Sequence, residues 1–224
     1  MSEQAIKPVG APPETIKKVC VIGAGVMGAG IAAQVANAGV PVLLLDIVPK
    51  EGGDRDAVAK GAVAKMLKTD PAPFMSKRAA KLVETGNIDD HLDRVAECDW
   101  VVEAIVERLD IKQALYAKLE QLKRPGTAVS SNTSTIPLGH LVEGRDDQFK
   151  QDFLITHFFN PPRYMRLLEI VTGPATDAAG AARPSTSRVA AVRKPSTGCC
   201  SPVRHANSKS IRRPTAIPRS CRRI

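Results

Sequence analysis

Three groups of residues in this 224-residue chain have types and spacing that suit chemistry. The first is Gly23-Ala24-Gly25-Val26-Met27-Gly28, with glycines at G-x-G-x-x-G spacing. The second is His157, followed by Glu169. The third is Ser131-Asn132-Thr133-Ser134. The glycine spacing suits a pyrophosphate. Gly23 permits a tight turn, Gly25 lets backbone approach the phosphates, and Gly28 lets a helix lie close to a strand. Around Gly25, Val26 and Met27, the first helical turn then offers free N–H groups and the positive end of its dipole. An imidazole next to a carboxylate suits proton abstraction, because the carboxylate fixes the tautomer and favours the imidazolium that forms.

A glycine triplet needs context, since a plain βαβ turn carries the same residues. Here an apolar run, residues 18–22, precedes it, and a helical pattern follows. The next apolar run, residues 42–45, closes on Asp46. A carboxylate at that place accepts hydrogen bonds from both hydroxyls of a ribose and repels a 2′-phosphate. No arginine follows it directly. The expected cofactor is therefore NAD rather than NADP.

The elements that must hold these groups alternate between strand and helix. A small-residue helix is expected over 26–38, stopped by Gly39, and a strand over 40–46. Residues 56–68 and 76–85 read as amphipathic helices, the second ending at Gly86, with Pro71 and Pro73 between them. Residues 100–106 read as a strand and 110–123 as a helix, with Ile111, Leu115, Leu119 and Leu122 on one face. Strands follow at 127–131, 153–158 and 167–171, the last two joined through Asn160-Pro161-Pro162. This alternation predicts an α/β fold: a Rossmann-type, doubly wound, mostly parallel sheet with helices on both faces. Ser131 to Ser134 then fall at its carboxyl edge, where such sheets hold ligands. A hairpin-like return brings Glu169 beside His157. The alternative is a strand-end histidine satisfied by backbone, with Glu169 solvated.

Composition bounds the rest. No apolar run is long enough to span a membrane. Residues 1–16 lack the order of a secretory signal and read as a mobile leader. The five cysteines (20, 98, 199, 200 and 221) show no zinc-site spacing, so no metal is expected and reduced thiols in a cytoplasmic protein are. The net charge of +9 is unevenly distributed. Residues 1–177 carry 21 Lys and Arg against 23 Asp and Glu, while residues 178–224 carry 11 basic residues and no acid. After Pro174 there is no Leu, Met, Phe, Tyr, Trp, Glu or Gln, and residues 175–224 are expected to be a disordered basic tail. No aromatic residue is interleaved there to stack bases, so no specific nucleic-acid partner is expected.

The glycine turn, Asp46, Val101-Val102-Glu103-Ala104-Ile105-Val106-Glu107, Ser131-Asn132-Thr133-Ser134 and His157-Phe158-Phe159-Asn160-Pro161 occur together and in order. Together they resemble the NAD-binding domain of the L-3-hydroxyacyl-CoA dehydrogenases of fatty-acid β-oxidation. Asn160-Pro161-Pro162-Arg163-Tyr164-Met165 resembles the long bacterial members in particular. The resemblance covers residues 17–173 and implies an NAD-binding domain over 17–174. It implies oxidation of an (S)-3-hydroxyacyl-CoA to the 3-oxoacyl-CoA, with His157 as base and Glu169 holding it. Ser134 would bond the reacting oxygen or the nicotinamide edge. Glu107, Lys112 and Asn160 would line the ribose and nicotinamide side of the cofactor. For Lys112 the alternative is a solvated helix lysine. For Glu103 a structural strand-end acid and a functional role stand equally.

The family carries a second, all-helical domain, which supplies a further catalytic asparagine and forms the dimer. Residues 175–224 show no pattern that matches it. The expectation is a shift of reading frame near residues 177–182, with NAD binding retained better than catalysis. A non-catalytic NAD-binding fragment is the competing reading.

Overall fold

The structure, a computed structural model, describes residues 16–165 and 167–177. The expected leader and basic tail lie outside the described residues, apart from their innermost few.

Seven strands form one sheet, in the order β3-β2-β1-β4-β5-β6-β7. They are β1 (Val19–Ile22), β2 (Val42–Asp46), β3 (Val83–Asn87), β4 (Trp100–Glu103), β5 (Ala128–Ser131), β6 (Phe153–Phe158) and β7 (Leu168–Thr172). Strands β1 to β6 pair in parallel, and β7 returns antiparallel to β6 at the edge. The helices are α1 (Val26–Asn37), α2 (Ala57–Met66), α3 (Lys77–Ala80), α4 (Ile88–His91), α5 (Leu109–Leu122), α6 (Leu138–Leu141) and α7 (Asp147–Asp152), with a 3-10 turn at Leu92–Glu97.

Strand alternation sorts the core into two layers. Val19, Val21, Leu44, Trp100, Val102 and Leu154 pack with Ile31, Ala32 and Val35 of α1. Cys20, Ile22, Leu43, Leu45, Val101 and Phe153 pack with Leu115, Tyr116 and Leu119 of α5. Buried polar groups pair inside the sheet. Trp100 Nε1 donates to Ser130 Oγ at 2.9 Å, and Thr156 Oγ1 donates to the same oxygen at 2.7 Å.

One expected element is different. The helix over 76–85 is only α3, and residues from Val83 onward form β3 beside β2. The sequence there, Val-Glu-Thr-Gly-Asn, lacks the apolar run that marks a buried strand, because this strand stands at the sheet's outer edge. A Cβ on Gly86 would come within 3.0 Å of Leu45 Cδ2, so close strand packing, rather than a helix stop, accounts for this glycine. Asn87 is buried and ends the strand by capping α4, its Oδ1 accepting from the Asp90 N–H at 2.8 Å.

Candidate active site

The carboxyl ends of β1, β2, β4, β5 and β6 lie on one edge of the sheet, and the sequence direction of the sheet reverses between β1 and β4. Gly23 leaves β1 at φ +101°, and a Cβ there would sit 2.6 Å from the Ala104 carbonyl oxygen. A Cβ on Gly28 would sit 1.8 Å from the Gly23 oxygen. The fold itself demands both glycines. Gly25 is different: a Cβ there meets no atom within 4 Å. The space over Gly25 is open, as a glycine kept for close approach of a ligand requires.

Gly25 is also the N-cap of α1, with no side-chain cap and no acid in the first turn. The N–H groups of that turn and the positive helix end thus have no anionic partner in the helix itself, which fits a diphosphate. Val26 is exposed there, while Met27 packs partly against the core. At the end of β2, Asp46 Oδ2 accepts the Ala24 N–H at 2.5 Å and Oδ1 accepts the Ile47 N–H at 2.6 Å. Each oxygen keeps a lone pair for a ribose hydroxyl. Apolar side chains at the same edge, Val26, Ile47 and Val106, are each more than half exposed. Ile47 and Val106 were not foreseen; the signal was an apolar residue placed just past a strand's end.

His157 and Glu169 come together. They are direct partners in the β6–β7 pair, and His157 Nδ1 lies 3.0 Å from Glu169 Oε2. The hairpin does this by register alone: residues opposite each other in an antiparallel pair present side chains on the same face. The histidine ring also rests against Phe159, centroids 4.6 Å apart. Since Nδ1 faces a carboxylate, it carries the proton, and Nε2 is the nitrogen left to act as base. His157 is thus paired to a side chain rather than to backbone, and the Glu169 side chain remains half exposed.

Lys112 is not a solvated helix lysine. Its side chain is 1% exposed, and Nζ lies 2.6 Å from Glu103 Oε1 and 3.3 Å from Glu107 Oε2. Glu103 is fully buried and also accepts Tyr116 Oη at 2.5 Å, Ser131 Oγ at 2.7 Å and the Ile105 N–H at 2.8 Å. Burial, with the charge and hydrogen bond of Glu103, holds the Tyr116 phenol well above its usual range, so it is neutral and donates. Glu107 is partly exposed and accepts from Thr133 and Thr135. Desolvation pushes its carboxyl up, but the Thr133 hydroxyl, the Lys112 ammonium and the Thr135 hydroxyl outweigh this and leave it below the usual carboxylate range.

Ser134 is exposed on the loop after β5 and makes no hydrogen bond among the described residues. Its neighbour Asn132 joins two strand ends, accepting the Phe158 N–H at 2.9 Å. Asn160 is exposed and lines a cavity of about 510 Å³ together with Gly25, Val26, Lys65 and Arg163. That cavity joins the glycine turn to the Asn160–Arg163 turn, so Asn160 stands at the cavity beside Gly25. Among the described residues no cluster suits a metal ion, and no helix is long and apolar enough to cross a membrane.

Comparison with known proteins places the chain among dehydrogenases. The family described as "3-hydroxyacyl-CoA dehydrogenase, NAD binding domain" matches residues 18–191. A probable 3-hydroxyacyl-CoA dehydrogenase of Deinococcus radiodurans is 51% identical over 162 residues, covering 72% of this chain and 47% of that protein. A probable 3-hydroxyacyl-CoA dehydrogenase of Bacillus subtilis is 44% identical over 176 residues, covering 72% of this chain and 22% of its own length. The solved structure of FadB2 from M. tuberculosis superposes with a TM-score of 0.67 at 30% identity, covering 80% of this chain and 62% of that one. The chain thus spans about half, or less, of the curated relatives it matches. The family match covers most of the chain, and the chain belongs to the family of 3-hydroxyacyl-CoA dehydrogenase NAD-binding domains.

Proposed function

We propose that this chain binds NAD across the glycine turn and contributes the proton-abstracting half of an (S)-3-hydroxyacyl-CoA dehydrogenase. The observation that carries this reading is the His157 Nδ1 to Glu169 Oε2 contact at 3.0 Å, on the same sheet edge as the open Gly25 turn. Gly25, Val26, Met27 and Gly28 would face the diphosphate and Asp46 the adenosine ribose. Glu107, Lys112 and Asn160 would stand toward the nicotinamide side. When bound, NAD supplies the hydride acceptor.

The chain's own residues do the proton work. Nε2 of His157 takes the proton of the substrate's 3-hydroxyl while hydride leaves the same carbon, and the carbon–oxygen double bond forms. Glu169 stabilises the imidazolium so produced. Ser134, with its hydroxyl uncommitted, would hold the reacting oxygen. The 510 Å³ cavity beside the glycine turn lies within the roughly 300–1,000 Å³ common for small-molecule sites and would admit part of the acyl-CoA. Cys20 and Cys98 are buried free thiols, in keeping with a cytoplasmic location.

A second reading is a segment that binds NAD without turning over substrate. Two assays separate these. Calorimetric titration with NAD tests binding, and binding absent at millimolar cofactor contradicts both readings. Appearance of NADH with (S)-3-hydroxybutyryl-CoA supports the dehydrogenase, whereas binding without turnover supports the second reading.

A further inference from the structure

Glu103 ends β4 with no exposed surface, yet it gathers four donors: Lys112, Tyr116, Ser131 and the Ile105 N–H. Of these, Lys112 is the one that reaches on toward the crevice, to Glu107. Glu107 in turn takes hydrogen bonds from Thr133 and Thr135, which flank Ser134. Thr133 Oγ1 also accepts the Ile136 N–H at 3.1 Å, closing the loop on itself. A continuous line of hydrogen bonds, joined through the Lys112–Glu107 ion pair, therefore runs from inside the sheet to both sides of Ser134.

The order of cause follows from burial. An ammonium that is 1% exposed needs a close anion. Glu103, at 2.6 Å, is closer and fully buried, whereas Glu107 is farther and partly open to water. Without the Glu103 charge, the lysine must lose its proton or move toward Glu107 and solvent. Either change alters the contact that anchors Glu107, and with it the two threonines. We infer that Glu103 is a positioning residue, which fixes the Ser134 loop through Lys112 and Glu107. This rests on the proposed reading only in taking that loop to face the nicotinamide. Glu103 itself touches no ligand, being sealed from the crevice.

The test is amide hydrogen exchange of the full chain without cofactor. Glu103→Gln and Lys112→Met are each expected to speed exchange over residues 133–136 about tenfold, with β1 and β2 unchanged. The double variant is expected to match the larger single effect, because both act along one line. Should a single variant fail to fold, the double variant leaves no uncompensated buried charge, and faster loop exchange in it supports the inference. Loop exchange at the native rate in any folded variant of the set overturns it, as do effects that add in the double. NAD titration of the native chain is read separately. Failure to bind sinks the NAD reading, while loop exchange still decides the positioning role.

Discussion

His157 and Glu169 face each other across the antiparallel β6–β7 pair, the imidazole Nδ1 3.0 Å from the carboxylate. Every other strand pair in the sheet is parallel. A parallel neighbour would need a long crossover before its residues lay alongside β6, so the local return at Asn160 is what makes so short a separation sufficient. The pair is thereby set by strand register, which side-chain fluctuation does not disturb.

Replacing His157 should separate chemistry from binding. In protein that turns over 3-hydroxybutyryl-CoA, His157→Gln is expected to lower kcat by about 10²–10⁴-fold, the usual worth of a general base. Glu169→Gln is expected to cost less, since the imidazole remains. Both variants should bind NAD as the native chain does, by calorimetry. A comparable loss of NAD affinity would show that the pair is structural.

The glycines make a paired prediction. Gly25→Ala puts a methyl into open space at an ordinary backbone conformation, so its cost in stability is expected to stay within about 1 kcal/mol. NAD binding should nevertheless fall below detection. Gly28→Ala drives a methyl into the Gly23 carbonyl and is expected to cost about 1–3 kcal/mol or more. Thermal melts beside NAD titrations check both.

Asp46 is the residue proposed to set the choice of cofactor. Asp46→Asn removes the charge and leaves one acceptor oxygen, so only one of the Ala24 and Ile47 N–H groups keeps its partner. NAD affinity is expected to drop roughly tenfold or more, because hydrogen bonds to a charged group contribute about 1.5–3 kcal/mol. NADP should gain relative to NAD. Competition binding of the two cofactors measures this.

Acid stability should report the surface clamp around α4. The Arg55 guanidinium, followed by the Asn87 amide, lowers the Asp90 carboxyl from 3.8 to about 2. A depressed folded pKa means stability that is present above the ordinary value and lost as pH falls toward 2. Asp90→Asn is therefore expected to lower stability at neutral pH and to flatten the pH profile between about 4 and 2. Denaturant titrations across that range check it. An unchanged slope contradicts the assignment.

Much of this site was legible because it is written in local pattern. The glycine turn, Asp46 and the His157 block each sit where an apolar run stops, and a parallel sheet gathers those stops on one edge. Even the His157–Glu169 contact follows from two strands joined by a short turn. What was hidden depended on tertiary burial. Val83 to Asn87 looks like the end of a helix, and only its pairing with β2 makes it a strand. For Lys112 the sequence leaves a cofactor-lining role and a solvated one open, because nothing in it shows that Glu103 waits inside the sheet to neutralise it. Residue type alone does not tell a charge facing water from one facing a buried partner.

The most direct test of the central claim is the crystal structure of the chain with NAD bound. The diphosphate is expected over Gly25, the adenosine ribose on Asp46, and the nicotinamide between the Ser134 loop and His157, with Nε2 of that histidine facing the ring across the substrate's space. A cofactor bound with its nicotinamide turned away from His157 would contradict the account.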